Sequence, residues 1–391
     1  MTERIVVLGA GYAGATAIQR LDAEEDEDFD VVWISDTSFH FALHEAHRVI
    51  SEPGKRNELT VDVDEISNSR FVQATVTGID PDSERVELSD GRQISYDHLL
   101  VGIGSRTATY DIPGVANYAY SLKSRSDAIR IARDVRELIL NSSYETPEQI
   151  VVAGAGLSGI QTAGEIAKLR NEKGGALDVT LVEAESMIYP SGTKPVQKKL
   201  LKLLRDAGVE SRVRMPIQKV TSDKVVTKQG NIPYDLLVWT TGITGPEELE
   251  QSSIPTKAGR VTVTNTLQSD EYDNLYGIGD VALHQSNVRP SAQTAIQSGA
   301  AGANNVIRQL KGKPQQDWSY TDRGTLISVS DGAVAYGIPF SPVEAFTGPV
   351  AEMLKKGVSE AWLKSLTASR SYYELLPDKL SLGENNPVLD Y

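Results

Sequence analysis

Two stretches carry glycines at one spacing, "GAGYAG" at residues 9–14 and "GAGLSG" at 154–159. In each, the first glycine (Gly9, Gly154) allows a tight turn, and the second (Gly11, Gly156) lets the backbone approach a pyrophosphate. The third (Gly14, Gly159) lets the following helix pack on the preceding strand. Tyr12 and Ala13 in one copy, and Leu157 and Ser158 in the other, open that helix. Its free N–H groups and partial positive charge suit a phosphate. An acid follows at the end of the next strand, Asp36 after "FDVVWIS" and Glu183 after "LDVTLV", where it can accept hydrogen bonds from a ribose. A glycine turn alone is a weak signal. A strand before it, a helix after it and an acid at the next strand's end make it a dinucleotide-binding unit. A carboxylate at 183 repels an adenosine 2′-phosphate, so the second unit is expected to take NADH rather than NADPH. Two units imply two dinucleotides. The economical arrangement is a flavin dinucleotide held permanently and a nicotinamide dinucleotide that exchanges, with hydride passing between them. A tandem duplication with one dead site is the alternative.

These residues need a frame to hold them. "RIVVLGAG" is a β-branched run that ends in glycines and leads into an alanine-rich helix, and "EQIVVAGAG" does the same about 145 residues later. "DPDS" and "SDG" mark hairpin turns in a small antiparallel piece between residues 71 and 101, and "IPGV" at 112–115 is an exit turn. "KKLLKLLRDAG" predicts an amphipathic helix, "NLYGIGDVA" a buried strand running into a glycine-aspartate turn, and "SAQTAIQSGAAGANNVIRQLKG" one long helix. The fold class is therefore α/β, with two Rossmann-like dinucleotide-binding domains and a C-terminal strand and helix extension.

Composition narrows the function classes. With 391 residues, 40% hydrophobic and 24% charged, the chain predicts a globular protein of two or three domains. It contains no cysteine, which removes disulfides, thiolate metal sites and redox-active cysteine pairs. A net charge of −14 argues against nucleic acid as a partner and is compatible with a salt-loving source. The run "DAEEDEDFD" at 22–30 is expected to be a solvated loop. No stretch approaches the ~18 apolar residues of a membrane span. The opening "MTERIVVLGAG" enters a strand at once, so no signal peptide is expected and the cytoplasm is favoured.

"SDTSFHFALHEAHRVISE", "YDHLLVGIGS", "IPGV", "SLKSRSDA", "VWTTG", "LYGIGDVA", "RPSAQTAIQSG" and "DRGTLISVSDGAVA" resemble, in order, segments of the type II NADH:quinone oxidoreductases. The likeness runs over residues 3 to 335 or so. It implies FAD in the first turn, with Gly104 also binding FAD and Asp280 at the flavin's ribityl or pyrophosphate region, and NADH in the second turn, with Gly242 beside it. It implies a quinone as acceptor, with Gln293 and Gln297 on a helix bordering flavin and quinone. It also implies a location at the inner face of the cell membrane. The FAD-binding domain is expected over 1–115 and 246–320, the NADH-binding domain over 116–245, and an acceptor, membrane- or dimer-contact region over 321–391. Sulfide:quinone and thioredoxin-reductase-type chemistry share the layout but work through cysteines, which this chain lacks.

Three departures stand out. "GIGS" replaces the family's "ATGS". Gln161 stands where the family has an acid thought to assist proton handling or acceptor binding, and an amide neither titrates nor gives up a proton. Glu165, one turn on, matches the family's own second acid. The expected consequence is that flavin reduction survives and the onward step changes. Lastly, Val350, Leu354, Val358, Trp362 and Leu366 fall at helical spacing, flanked by Lys355, Lys356 and Lys364. This predicts either an interfacial membrane helix or one docked on the body or on a second subunit. His40, His44 and His47 would share one face of a helix, but no converging ligand set completes a metal site, and none is expected. Two other functions remain open: a soluble NADH-dependent flavin reductase with another acceptor, and a nucleotide-binding flavoprotein acting as sensor or partner subunit.

Overall fold

The structure, a computed structural model, describes residues 2–24, 29–249, 252–286, 288–339 and 341–368. The centre of the acidic run 22–30, expected to be a solvated loop, lies outside the described residues. The chain divides into two units. The first comprises Met1–Phe41, Thr60–Arg106 and Ile243–Asp322, and the second Ala42–Leu59, Thr107–Gly242 and Arg323–Tyr391.

In the first unit a five-stranded parallel sheet runs in the order Leu275–Gly277, His98–Val101, Glu3–Leu8, Phe29–Ser35, Arg70–Gln73. Parallel strands are covered on both faces, so they read as continuous apolar runs, and Ile5 to Leu8 are indeed fully buried. Helices Tyr12–Asp22 and Ala292–Leu310 pack together. Gly299 makes the close approach possible, since a Cβ there would fall 2.3 Å from the Ala13 carbonyl oxygen. The expected hairpins form an antiparallel meander of Val76–Asp80, Arg85–Leu88 and Gln93–Ser95.

The second unit repeats the plan. Its parallel sheet runs Val209–Arg212, Leu177–Val182, Glu148–Ala153, Leu236–Trp239, followed by a meander of Ile217–Val220, Lys224–Thr227 and Gly230–Pro233. Segment 42–59 belongs to this unit, and its helix Arg48–Ser51 packs on helices Arg125–Asn141 and Leu157–Lys173. The antiparallel strands Thr325–Val329, Gly332–Tyr336 and Ala345–Thr347 also join it. At Gly164 of helix Leu157–Lys173 a Cβ would lie 2.7 Å from the Ser330 nitrogen, so that helix and the turn after the first of these strands meet without a side chain between them.

The C-terminal helix Pro349–Thr367 follows the predicted spacing and docks on the body of its own unit. Leu354, Trp362 and Leu366 are buried as the helix docks on strands Thr325–Val329 and Gly332–Tyr336 of the same unit. Most of the apolar seam is therefore covered by protein, while Val350 stays 47% exposed.

Candidate functional site

The two glycine turns have matching geometry. Gly9 and Gly154 both adopt φ +95°, open to glycine and strained for other residues. A Cβ on Gly14 would sit 1.9 Å from the Gly9 carbonyl oxygen, and one on Gly159 1.8 Å from that of Gly154. At Gly11 and Gly156 a Cβ would meet nothing within 4 Å. Protein thus closes on the first and third glycines and leaves space over the second, at the helix N-terminus. A pyrophosphate fits that cradle.

In the first unit Ala13 and Gly14 are buried, whereas Gly11 is exposed and Tyr12 half-buried. His40 braces this turn from beneath. It is fully buried, its Nδ1 lies 2.9 Å from the Ala10 carbonyl oxygen, and its ring meets Tyr12 edge-on at 4.9 Å. Burial pushes its pKa down to about 4, against the pull of backbone bonds to Ala10 and Gly11. The ring is neutral and donates from Nδ1. Asp36 is exposed at the end of its strand. Ser105 Oγ donates to Asp280 Oδ2 at 2.9 Å, and the Gly279 N–H donates to Ser298 Oγ at 2.9 Å, which fixes the glycine-aspartate turn. Gly104, φ +76°, precedes Ser105. Gln297 on the long helix has both amide ends engaged. Its Nε2 donates to the Thr321 carbonyl and its Oε1 accepts from the Thr321 N–H, each at 2.9 Å. This amide holds a backbone segment in place. Gln293, one turn earlier, is half-buried.

In the second unit Glu183 is tied to its own glycine turn. The Ala155 N–H donates to Oε2 at 2.7 Å and the Glu185 N–H to Oε1 at 2.9 Å. Leu157 and Ser158 are exposed at the mouth of the turn. Thr240 Oγ1 donates to the Ala153 and Gly154 carbonyls at 2.8 and 3.0 Å. Gly242, φ +56°, lies under the Tyr110 hydroxyl, which a Cβ at 242 would strike at 1.8 Å.

Helix Leu157–Lys173 also carries a buried polar cluster. Gln161 Nε2 lies 3.1 Å from both His47 Nε2 and Ser328 Oγ, and those two atoms are 2.9 Å apart. Burial pushes the His47 pKa down to about 3, with Glu45 pulling it up and Lys355 pushing it further down. One turn on, Ser51 Oγ donates to Glu165 Oε2. Burial raises the Glu165 pKa to about 7, opposed by the serine hydrogen bond and by Lys168. Arg136 anchors the end of helix Arg48–Ser51 through bonds of 2.8 Å to the Ile50 and Ser51 carbonyls. Glu45 is fully buried. Its burial opposes a charge, but Lys355 at 2.6 Å, with His44 and His47, holds the carboxyl well below its usual range.

The three histidines do not share a helical face. His40 lies on strand Phe39–Phe41, His44 in the 3-10 turn Leu43–Glu45 and His47 at the N-terminus of helix Arg48–Ser51. His44 bonds Ser359 at 3.0 Å, so each ring has its own partners. The turn chemistry was visible in the sequence. The partners of Gln161 were not, because Ser328 is 167 positions away and no local spacing links them.

The pyridine nucleotide-disulphide oxidoreductase family model matches residues 3–299. The chain is 30% identical to a type II NADH:quinone oxidoreductase of Staphylococcus saprophyticus over 363 residues, covering 86% of this chain and 90% of that one. It is 28% identical to the Staphylococcus aureus protein of the same name over 371 residues, covering 88% and 92%. Among solved structures, NDH2 from Plasmodium falciparum in complex with NADH superposes with a TM-score of 0.81 at 16% identity, covering 97% and 96% of the two chains. The sulfide:quinone oxidoreductase of Aquifex aeolicus reaches 0.78 at 18% identity, covering 94% and 92%. These two likenesses are of fold.

Proposed function

The chain belongs to the type II NADH:quinone oxidoreductases, within the pyridine nucleotide-disulphide oxidoreductase family, and from that premise we propose how its residues divide the work. It is an FAD-dependent NADH dehydrogenase with a quinone as electron acceptor. Bound FAD would supply an acceptor for the hydride of NADH and a two-electron donor to the quinone, and the net reaction of NADH, a proton and quinone to NAD+ and quinol consumes that one proton.

We assign FAD to the first unit. Gly9, Gly11, Tyr12, Ala13 and Gly14 form the pyrophosphate cradle, Asp36 accepts from the ribose, Gly104 also binds FAD, and Asp280 meets its ribityl or pyrophosphate region. Ser105 orients Asp280. NADH falls to the second unit, with Gly154, Gly156, Leu157, Ser158 and Gly159 as the cradle, Glu183 at the ribose and Gly242 beside the nucleotide. Glu183 is preorganised by two backbone N–H groups, so its charge is in place before a ligand arrives. Gln161 works at the acceptor step. Gln293 borders flavin and acceptor, and Gln297 holds that border through Thr321. The observation that carries this reading is the pair of identical turns, each open over its second glycine and each with an acid at the next strand's end.

No helix among the described residues is long and apolar enough to cross a membrane. We propose a peripheral contact made by the exposed end of the C-terminal helix, where Val350 is 47% and Met353 65% exposed, rather than by its docked seam. Flotation with neutral vesicles checks this, and binding unaffected by Met353→Asp would rule it out. The main test is an anaerobic NADH titration of the purified protein at flavin wavelengths, followed by a water-soluble quinone. Flavin absorbance is expected to bleach with NADH and return with the quinone. A colourless protein that takes up no added FAD would overturn the assignment.

A further inference from the structure

Gln161 Nε2, His47 Nε2 and Ser328 Oγ form a closed triangle with sides of 3.1, 3.1 and 2.9 Å. Its corners come from three elements, helix Leu157–Lys173, segment 42–59 and strand Thr325–Val329, all in the second unit. Gln161 and His47 are 6% and 3% exposed, so water does not arbitrate among the protons. An amide nitrogen carries two hydrogens and no lone pair. With that nitrogen facing inward, His47 Nε2 must be bare and accepting, and its one hydrogen sits on Nδ1. An imidazolium would point an N–H at another N–H donor.

The amide has a second orientation. Turned over, it presents Oε1, which accepts from Nε2–H of His47 and from the Ser328 hydroxyl together. The two arrangements differ in whether His47 carries a hydrogen on Nε2, and the inward nitrogen is the one found here. A carboxylate at 161 would support one of them alone, the protonated one. The charges facing His47 are Glu45, His44 and Arg48 on its own segment and Lys355 from the C-terminal helix. Lys355 lies 2.6 Å from Glu45, so the pull of that carboxylate on the imidazole is largely offset.

We infer that Gln161 is a positioning residue whose inward amide nitrogen holds His47 as the neutral imidazole, with Nε2 bare and its hydrogen on Nδ1. The amide thereby keeps uncharged a ring onto which a carboxylate at 161 would draw a proton. Only the bearing of this on turnover rests on the NADH:quinone reading, because quinone reduction consumes a proton. The protonation pattern itself does not depend on donor or acceptor.

The test is nitrogen NMR of imidazole-labelled, oxidised holoenzyme across pH, with His47 assigned by H47N. In the wild type His47 is expected to stay neutral with its hydrogen on Nδ1. Q161E is expected to raise its titration by about one to three pH units, and the pH profile of quinone reduction should then gain an ionisation. Q161M removes the inward donor and should move the hydrogen to Nε2, which then donates to Ser328, a change of tautomer that a space-filling role for Gln161 would not produce. The inference fails if His47 titrates near the ordinary value of about 6.5 in the wild type, or if its tautomer and titration are unmoved in both variants. If the NMR pattern holds while no quinol forms, the NADH:quinone reading is what fails.

Discussion

At Glu165, burial has pushed a carboxyl up to about 7, and this has a consequence for stability with a definite sign. The native state holds that proton more tightly than the unfolded chain, whose carboxyl titrates near its usual value of 4.5. The stabilisation is complete below the unfolded value and is lost as pH rises through about 7. At about 1.4 kcal/mol per unit, the loss amounts to roughly 3 kcal/mol. Glu165→Gln keeps the shape and the serine contact without the charge. Thermal melts should show the variant matching the wild type near pH 4.5 and exceeding it by roughly 2–3 kcal/mol above about pH 8. Equal pH slopes for the two proteins would contradict the buried acid. Glu183 makes a different prediction. Glu183→Ala should narrow the NADH over NADPH preference in kcat/KM by about tenfold, since one repulsive charge is removed and no Arg contact is added. Both acids were visible in the sequence. The raised pKa of Glu165 was not, because it comes from the burial created when helix Arg48–Ser51 closes over it.

At the scale of elements, the C-terminal helix shows how one periodic pattern serves two ends. An apolar stripe of that spacing suits a lipid surface and a protein surface equally, and the strands Thr325–Val329 and Gly332–Tyr336 take it up. Trp362 on this helix is 2% exposed. Trp362→Ala should destabilise the second unit by about 3–5 kcal/mol in urea unfolding. A cost below about 1 kcal/mol would mean the helix is not docked as described. The Glu45–Lys355 ion pair ties the same helix to segment 42–59. Removing Lys355 takes away the nearest cation of a buried carboxylate and leaves it Ser359 and the more distant Arg48, so Lys355→Met should cost more than Lys356→Met, whose ammonium faces the exposed Glu360 at 3.8 Å.

For the molecule as a whole, a net charge of −14 implies self-repulsion that mobile ions screen. The midpoint of thermal unfolding should therefore rise between about 0.05 and 1 M potassium chloride, where the Debye length falls to about 3 Å. A flat or falling response would show that the carboxylates are already balanced locally. The amino-acid sequence by itself determined the two glycine turns, the acids that follow them and the order of strands and helices, because glycine spacing, β-branched runs and a terminal acid are local properties within a few tens of residues. It also determined that this chain contributes no cysteine thiol. Only the tertiary structure decided which partner each histidine meets, that Gln161 faces an imidazole and a hydroxyl, that Gln297 braces a backbone segment and that the C-terminal seam lies against protein. Each of these depends on side chains brought together from distant parts of the chain, and the pairing of buried polar groups is settled by packing, which residue spacing does not encode.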